Sequence, residues 1–349
     1  MSSIFVQIGS YHDSELAETI KDVLEKCSGF HDIHFGIHNC FYEENILNEI
    51  ELIKSLDSLK KTYKLSISHS KFPQNVGVGI SRYIANEFYQ DEDFYMQIDS
   101  HMLFTYNWDL ILISSLEKAS EDGVEKPLIS YSLNSYFIDE KKRRFVVEDA
   151  LNSFSNKNIN INDPIFKQKP EISQYGLHQL GEKTEINWVF SSAFNCSIPT
   201  IKFESLFNFI YTNGAFLFSY GHLSKVKPNK NILYLGDEVL HSSRLYTHGY
   251  TILRLKNPFI VFHLHSTLPS QIDPNRQTVS SPGRRSVRED LQSYVNKKQD
   301  KNEITENLFD FVSEKSINEL RKIIGLRIKD DQSFGFERDY QKIIDNLFD

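Results

Sequence analysis

The chain is poor in cysteine: only three occur among its 349 residues, at Cys27, Cys40 and Cys196. Three widely spaced thiols are too few for a disulfide framework or for a zinc site built from thiolates. The pattern is typical of a reducing compartment, where cysteines stay as free thiols. We therefore expect an ordinary folded protein whose stability comes from a hydrophobic core, which a chain of this length is large enough to bury.

Long hydrophobic runs and excess positive charge are also missing. No stretch of about 18 apolar residues occurs, so we expect no membrane span. The first residues, MSSIFVQIGSYHDSE, lack the basic and apolar segments of a secretory signal. The formal charge of −8 argues against a general nucleic-acid binder. Together these absences predict a cytoplasmic protein with no nucleic-acid partner.

Apolar runs alternate with helical patterns through the first third of the chain. Strands are predicted at 4–9, 33–37, 63–68 and 94–98, and helices over 14–24, 43–61, 77–88 and 109–119. Asp13 or Ser14 is the expected N-cap of the first helix, and Ile46, Ile50, Ile53 and Leu56 are expected on one face of the second. This alternation is typical of an α/β fold with a mostly parallel sheet, whose ligands bind beyond the carboxyl ends of the strands.

The rest of the chain is less regular. Residues 139–186 are polar and rich in Asn, Lys and Gln, which indicates a long variable insertion. A strand is predicted at 258–264, after a region around 231–250 that includes a helix. Amphipathic helices follow at 286–298 and 303–325. We predict one domain over 1–270 and a helical C-terminal extension over 271–349.

Two strand ends carry residues that bind metals. Asp99 and His101 close the strand at 94–98, and residues two apart in a strand point to the same side. One carboxylate oxygen and one imidazole nitrogen suit Mn²⁺ and, less uniquely, Mg²⁺ or Zn²⁺. His263 and His265 end the strand at 258–264, and either of them could supply a third ligand. A polar turn and hydrogen-bonded histidines are the alternatives that the residues leave open.

An acidic pair, Asp237-Glu238, follows a glycine and precedes Arg244. Carboxylates at the start of a helix can simply be stabilised by the helix dipole. A carboxylate near a sugar could instead bind its hydroxyls or stabilise a positively charged transition state.

The sequence around these residues resembles a known family. Several segments are similar to the glycosyltransferases typified by the cytoplasmic N-acetylglucosaminyltransferase that modifies hydroxyproline. They are the stretch Asp93–Phe104 with Trp108-Asp109, the segments 4–13 and 77–82, the acidic motif near Glu238 and the late His263. The resemblance spans most of residues 1–265. It departs from the family pattern at 152–185, at Val78-Gly79-Ile80 and at Asp237, where the family usually has glutamate.

The resemblance implies a GT-A fold, with a Rossmann-like mixed sheet flanked by helices. It also implies a retaining enzyme that uses a UDP-sugar, with UDP-GlcNAc as donor, together with Mn²⁺ or Mg²⁺. Its residue implications are metal ligation by Asp99, His101 and His263, and donor contacts by Tyr11, Asp13, Arg82 and Asp99. Asp237 and Glu238 would act near the sugar or the acceptor. Arg82 could pair with the diphosphate or with an acidic residue at the sheet edge.

Two other classes of function fit part of the pattern. A non-catalytic domain of the same fold could bind a nucleotide-sugar or a glycan, but it would not need the metal-ligating residues. A metal-dependent hydrolase could use the same histidines, but the sequence lacks a dense cluster such as H-x-H-x-D. The expected partners are a nucleotide-sugar donor and a protein or glycan acceptor.

Overall fold

The computed structural model describes residues 2–42, 44–72, 74–75, 77–131, 133–138, 144–147, 158–160, 177–178, 212–230, 241, 244–245, 248–255 and 260–264. Several predictions lie outside these residues. They are the acidic pair Asp237-Glu238, His265 and the helical extension over 271–349.

Strands and helices alternate through the first half of the described chain. The helices are α1 (Leu16–Lys26), α2 (Glu49–Ser58), α3 (Val78–Asn86) and α4 (Trp108–Glu121). The strands are β1 (Ser3–Tyr11), β2 (Asp32–Phe41), β3 (Tyr63–Lys71), β4 (Phe94–Asp99), β5 (Met102–Phe104), β6 (Pro127–Ile129), β7 (Asn134–Ile138), β8 (Arg144–Val147), β9 (Asn158–Asn160), β10 (Leu177–His178), β11 (Phe216–Tyr220), β12 (Thr251–Leu255) and β13 (Val261–Leu264). A short 3₁₀ helix, Gly221–Lys225, follows β11.

The larger sheet has eight strands in the order β10-β12-β6-β11-β4-β1-β2-β3. Strands β3, β2, β1 and β4 are mutually parallel, whereas β11 is antiparallel to β4 and to β6. The predicted α/β class with a mixed sheet flanked by helices is therefore confirmed. Among the described residues, no helix has both the length and the apolar character that a membrane span requires.

Helices cover both faces of this sheet, so its strand β1 is buried on both sides. Ile4, Val6 and Ile8 face the cluster that contains α1, α2 and α4, and all three are fully buried. Burying each such side chain contributes about 1.5–3 kcal/mol. On the other face Phe5 packs near α3, which approaches closely because Gly36 lacks a side chain: a Cβ there would overlap the Phe5 ring.

A second sheet has five strands in the order β5-β13-β7-β8-β9. It begins immediately after the larger sheet, because only Ser100 and His101 separate β4 from β5. Strand β13 runs antiparallel to β5, with His263 opposite Met102. This pairing carries a residue from late in the chain to the end of β4.

The structure corrects several predictions about individual elements. Helix α2 is shorter than 43–61, and it buries Leu52 and Leu56 while Ile50 is 68% exposed and Ile46 and Ile53 are also exposed. The N-cap of α1 is Glu15, not Asp13 or Ser14. Part of the segment 139–186 is regular, since β8, β9 and β10 fall within it. The short strands β5, β11 and β12 were not predicted.

Candidate metal and donor site

The candidate site lies where the order of the parallel strands reverses. From β1 the chain continues to β2 on one side, but β4 pairs with β1 on the other side. Gly9 of β1 lies beside Asp99 of β4, so the segments that follow these two residues leave the sheet together. In open α/β sheets, the crevice at such a reversal is where ligands bind.

Asp99, His101 and His263 meet at this point. One ligand atom from each of them lies within 4.8 Å of the others. The Nε2 atoms of the two histidines are 3.0 Å apart, and His263 Nε2 is 3.3 Å from Asp99 Oδ2. The imidazole rings meet edge to face at an interplanar angle of 70°, so their nitrogens converge on one small volume. One carboxylate oxygen and two imidazole nitrogens form a donor set that suits a divalent transition metal such as Mn²⁺.

Arg82 holds the carboxylate of Asp99 from the other side. Its Nη2 is 3.0 Å from Asp99 Oδ1 and 2.7 Å from the carbonyl oxygen of Gly214. The arginine, 5% exposed, reaches this position because α3 packs closely on β1 at Gly9, where a Cβ would lie 3.4 Å from Arg82 Cγ. Oδ2 of Asp99 is thereby left facing the histidines.

The charges around Asp99 keep it ionised. Burial by itself would raise the pKa of this carboxyl. The hydrogen bond from His263 and the positive charge of Arg82 outweigh burial, so the pKa lies well below its usual range. Asp99 is therefore a carboxylate at neutral pH, as a metal ligand must be.

Asp13 lies behind His101, at the start of the segment that joins β1 to α1. Its Oδ2 accepts hydrogen bonds from Ser100 Oγ at 2.6 Å and lies 2.7 Å from His101 Nδ1. Its Oδ1 accepts a hydrogen bond from the backbone amide of Glu15 at 2.9 Å. Burial would raise the pKa of Asp13, but the contacts with His101 and Ser100 lower it overall.

Helix α1 also fixes the turn that carries His101. The Thr19 hydroxyl donates to the carbonyl oxygen of Ser100 at 2.9 Å and accepts from the amide of Met102 at the same distance. On the other side of the turn, the amide of Leu264 donates to the carbonyl of His101 at 3.1 Å. The turn is thus held by α1 and by β13 together, which limits how far His101 can move.

A row of polar residues continues the edge away from Asp99, His101 and His263, and the sequence analysis missed its middle member, Asn39. Ser10, Asn39 and His69 are neighbours across β1, β2 and β3, two residues beyond the apolar row Ile8, Ile37 and Ile67. Asn39 Nδ2 donates to Asn45 Oδ1 at 2.9 Å. The signal was available, because all three apolar strands change to polar residues at the same register.

The structure brings together most of the predicted site residues. Asp99, His101, His263, Arg82 and Asp13 form one connected cluster. Tyr11 ends β1 at the same edge of the sheet and is partly exposed. Asp237 and Glu238 lie outside the described residues.

The chain belongs to the family described as Glycosyltransferase (GlcNAc), whose model matches residues 53–322. The match includes the helix that carries Arg82, the Asp99–His101 motif and His263. A comparison with curated proteins found no match.

Several solved structures are similar to this chain at low sequence identity. Residues 1–349 of TarS from S. aureus, crystallised with UDP-GlcNAc, match all of this chain and 90% of their own at 11% identity and a TM-score of 0.44. GalNAc-T7 with UDP, GalNAc and Mn²⁺ matches 76% of this chain and 44% of its own at 12% identity and a TM-score of 0.41. Glucosyl-3-phosphoglycerate synthase from Mycobacterium tuberculosis, with Mg²⁺ and UDP, matches 80% of this chain and 78% of its own at 10% identity and a TM-score of 0.36.

Proposed function

We propose that this chain is a metal-dependent, retaining glycosyltransferase that moves GlcNAc, or a related N-acetylhexosamine, from a UDP-sugar to a hydroxyl group of a protein or glycan. The observation that supports this most strongly is the convergence of Asp99, His101 and His263 at the ligand-binding edge of the sheet, in a member of a GlcNAc glycosyltransferase family. The resembled family makes the hydroxyproline side chain one acceptor worth testing.

Asp99, His101 and His263 would hold the divalent cation, Mn²⁺ or Mg²⁺. A cation bound there would neutralise the charge of a nucleotide diphosphate and so stabilise it as a leaving group. Contacts within the protein orient these side chains before a cation binds. Arg82 bonds to one oxygen of Asp99, and the other oxygen faces the two histidines. The His101 ring is fixed through its other nitrogen.

The nucleoside would lie along the edge that begins at Tyr11. Tyr11 is partly exposed there and offers an aromatic face on which a base could stack. Asp13 and Arg82 were expected to contact the donor directly. Their contacts with His101 and Asp99 support a role in shaping the site.

The acidic pair Asp237-Glu238 would act near the transferred sugar. The resemblance of this acidic motif to the family pattern is what supports the assignment. In a retaining transfer no separate base is required, because the leaving diphosphate can accept the acceptor proton.

Thermal unfolding with UDP-GlcNAc, with and without Mn²⁺, tests the proposal. A ligand present at 100 times its dissociation constant stabilises the folded state by about 2.7 kcal/mol. We expect stabilisation by UDP-GlcNAc that requires Mn²⁺ and is lost in His263→Ala. The matched control is His222→Ala, whose ring stacks on Tyr220 near the start of β4 and away from the metal ligands. Equal stabilisation of the two variants would refute the metal site.

Release of UDP separates this proposal from a non-catalytic nucleotide-sugar or glycan-binding domain. A transferase slowly passes its sugar to water when no acceptor is present, whereas a binding domain does not. We expect UDP to form from UDP-GlcNAc in wild-type protein and not in Asp99→Ala. Stabilisation by the donor without any release of UDP, with or without candidate acceptors, would favour the binding domain.

A further inference from the structure

We propose that Asp13 is a positioning residue for metal binding: it fixes the tautomer of His101 so that the Nε2 atom faces Asp99 and His263. The inference rests on the metal site proposed above. It gives Asp13 a role different from the donor contact that the family resemblance implied.

The geometry separates the two nitrogens of the His101 ring by function. Nδ1 lies 2.7 Å from Asp13 Oδ2, and Nε2 lies 3.0 Å from His263 Nε2. An ionised carboxylate only accepts hydrogen bonds, so the neutral ring must carry its proton on Nδ1 to bond with Asp13. The lone pair is then on Nε2, where a metal would bind. Carboxylates orient metal-binding histidines in this way in many metal sites.

Asp13 is itself held in place by other hydrogen bonds, so it can determine which nitrogen of His101 carries the proton. Its Oδ1 accepts from the amide of Glu15, and its Oδ2 also accepts from Ser100 Oγ. Three donors therefore surround one carboxylate that is 8% exposed in its side chain. The carboxylate has little freedom to turn away from His101 and contact a ligand.

Asp13→Asn tests the inference because it keeps the size of the side chain and reverses the polarity of one contact. If the amide oxygen stays on the Glu15 amide, the Nδ2 group donates toward His101 Nδ1. That nitrogen must then accept, and the proton moves to Nε2, where it blocks the metal. If the amide turns around, two donors oppose each other at Glu15. The matched control is Asp93→Asn, which makes the same chemical change at the first residues of β1, where Asp93 accepts from Ser3.

Two measurements on the full-length protein report the result, both without nucleotide. The first is the ¹⁵N spectrum of the histidine rings in metal-free protein, with His101 identified by the signals that disappear in His101→Gln. We expect Nδ1 to be protonated in wild type and Nε2 to be protonated, at least in part, in Asp13→Asn. The second is the dissociation constant for Mn²⁺, which should rise about 10- to 100-fold in Asp13→Asn and stay unchanged in Asp93→Asn.

The outcomes separate this inference from the proposed function. A wild-type His101 protonated on Nε2 would overturn the inference, and so would a folded Asp13→Asn variant that binds Mn²⁺ as tightly as wild type. Wild-type protein that binds no Mn²⁺ would refute the metal site, while the ring spectrum would still decide whether Asp13 orients His101. UDP binding in the presence of Mn²⁺ is measured as a third readout, and its loss in Asp13→Asn with unchanged Mn²⁺ binding would overturn the inference and return Asp13 to the donor-contact role.

Discussion

Replacing Arg82 by methionine should lower the free energy of unfolding. The size of the loss measures how much the contact between Arg82 and Asp99 contributes to stability. The change keeps an apolar stem of similar length in a buried position and removes the guanidinium group. Within the described part of the chain, the change removes the ion pair with Asp99 at 3.0 Å and the hydrogen bond to Gly214 at 2.7 Å. These two losses differ in cost.

The carbonyl of Gly214 still has a partner, because Gln97 Nε2 also donates to it at 2.8 Å. Losing one of two donors there costs about 1 kcal/mol. Asp99 loses the cation beside its Oδ1, and a hydrogen bond to a charged group contributes about 1.5–3 kcal/mol. The Asp99 side chain is 26% exposed, so water replaces part of that contact. We expect the free energy of unfolding to fall by about 2–3 kcal/mol in total.

Urea unfolding at pH 7, followed by tryptophan fluorescence and circular dichroism, measures this loss. The control is Lys227→Met, which removes the pair between Lys227 and Glu87. Both partners there are about half exposed, and an exposed pair contributes less than about 1 kcal/mol. Comparing the two losses in unfolding free energy shows how much burial increases the contribution of an ion pair to stability.

The pH dependence gives a second, independent check. Asp99 has a lowered pKa in the folded protein, so its interactions stabilise the fold above the pKa of an unfolded aspartate, about 3.9. That stabilisation is lost as the pH falls further through the lower folded value. The difference between wild type and Arg82→Met should therefore be largest near neutral pH and shrink in acid. A difference below about 0.5 kcal/mol at pH 7, within the usual range for surface changes, would refute this account of Arg82.

Two further predictions concern the core of the larger sheet. Glu92 is hydrogen-bonded to His34, and this bond outweighs burial and lowers the pKa of Glu92. Glu92→Gln should therefore lower the free energy of unfolding by about 1–3 kcal/mol in urea at pH 7. This cost should shrink below about pH 4, where unfolded glutamate is protonated. Equal costs at pH 7 and in acid would contradict this. Gly36→Ala should cost about 1–3 kcal/mol, because its Cβ would overlap the Phe5 ring and lie 2.8 Å from the Ala85 carbonyl oxygen; an unfolding midpoint equal to that of wild type would show that α3 can move away from the sheet at little cost.

The first four strands and the centre of the site could be predicted from the sequence. Each of those strands carries apolar residues and ends in polar ones, and the parallel α/β arrangement brings such ends to one edge. The motif Asp99-Ser100-His101 was visible at a strand end, but the strand spacing that suggested a shared side does not hold, because β4 ends at Asp99 and His101 lies in the turn that follows. The choice between His263 and His265 needed the family resemblance, and the structure brings His263 to Asp99 and His101.

Other features could not be predicted, for physical reasons. Strand β5 has three residues, too few for any periodicity to appear. Helix α2 offers two apolar stripes at helical spacing, and only packing decides that Leu52 is buried and Ile50 exposed. The contact between Asp13 and His101 depends on the course of a turn between β1 and α1, which no local pattern encodes. Each of these features is determined by tertiary contacts.

The three candidate metal-binding residues connect the two sheets, so their positions bear on the stability of the contact between the sheets. Asp99 ends the larger sheet and His263 belongs to the smaller one, and His101 lies in the two-residue connection between them. His101 and His263 are 162 positions apart in the chain, so the unfolded protein cannot present them together without a large loss of chain entropy. The fold supplies that ordering through the pairing of β13 with β5 and through the hydrogen bonds of Thr19. A cation bound by all three ligands would therefore stabilise the contact between the two sheets as well as the donor, because the complete set exists only when β13 is paired.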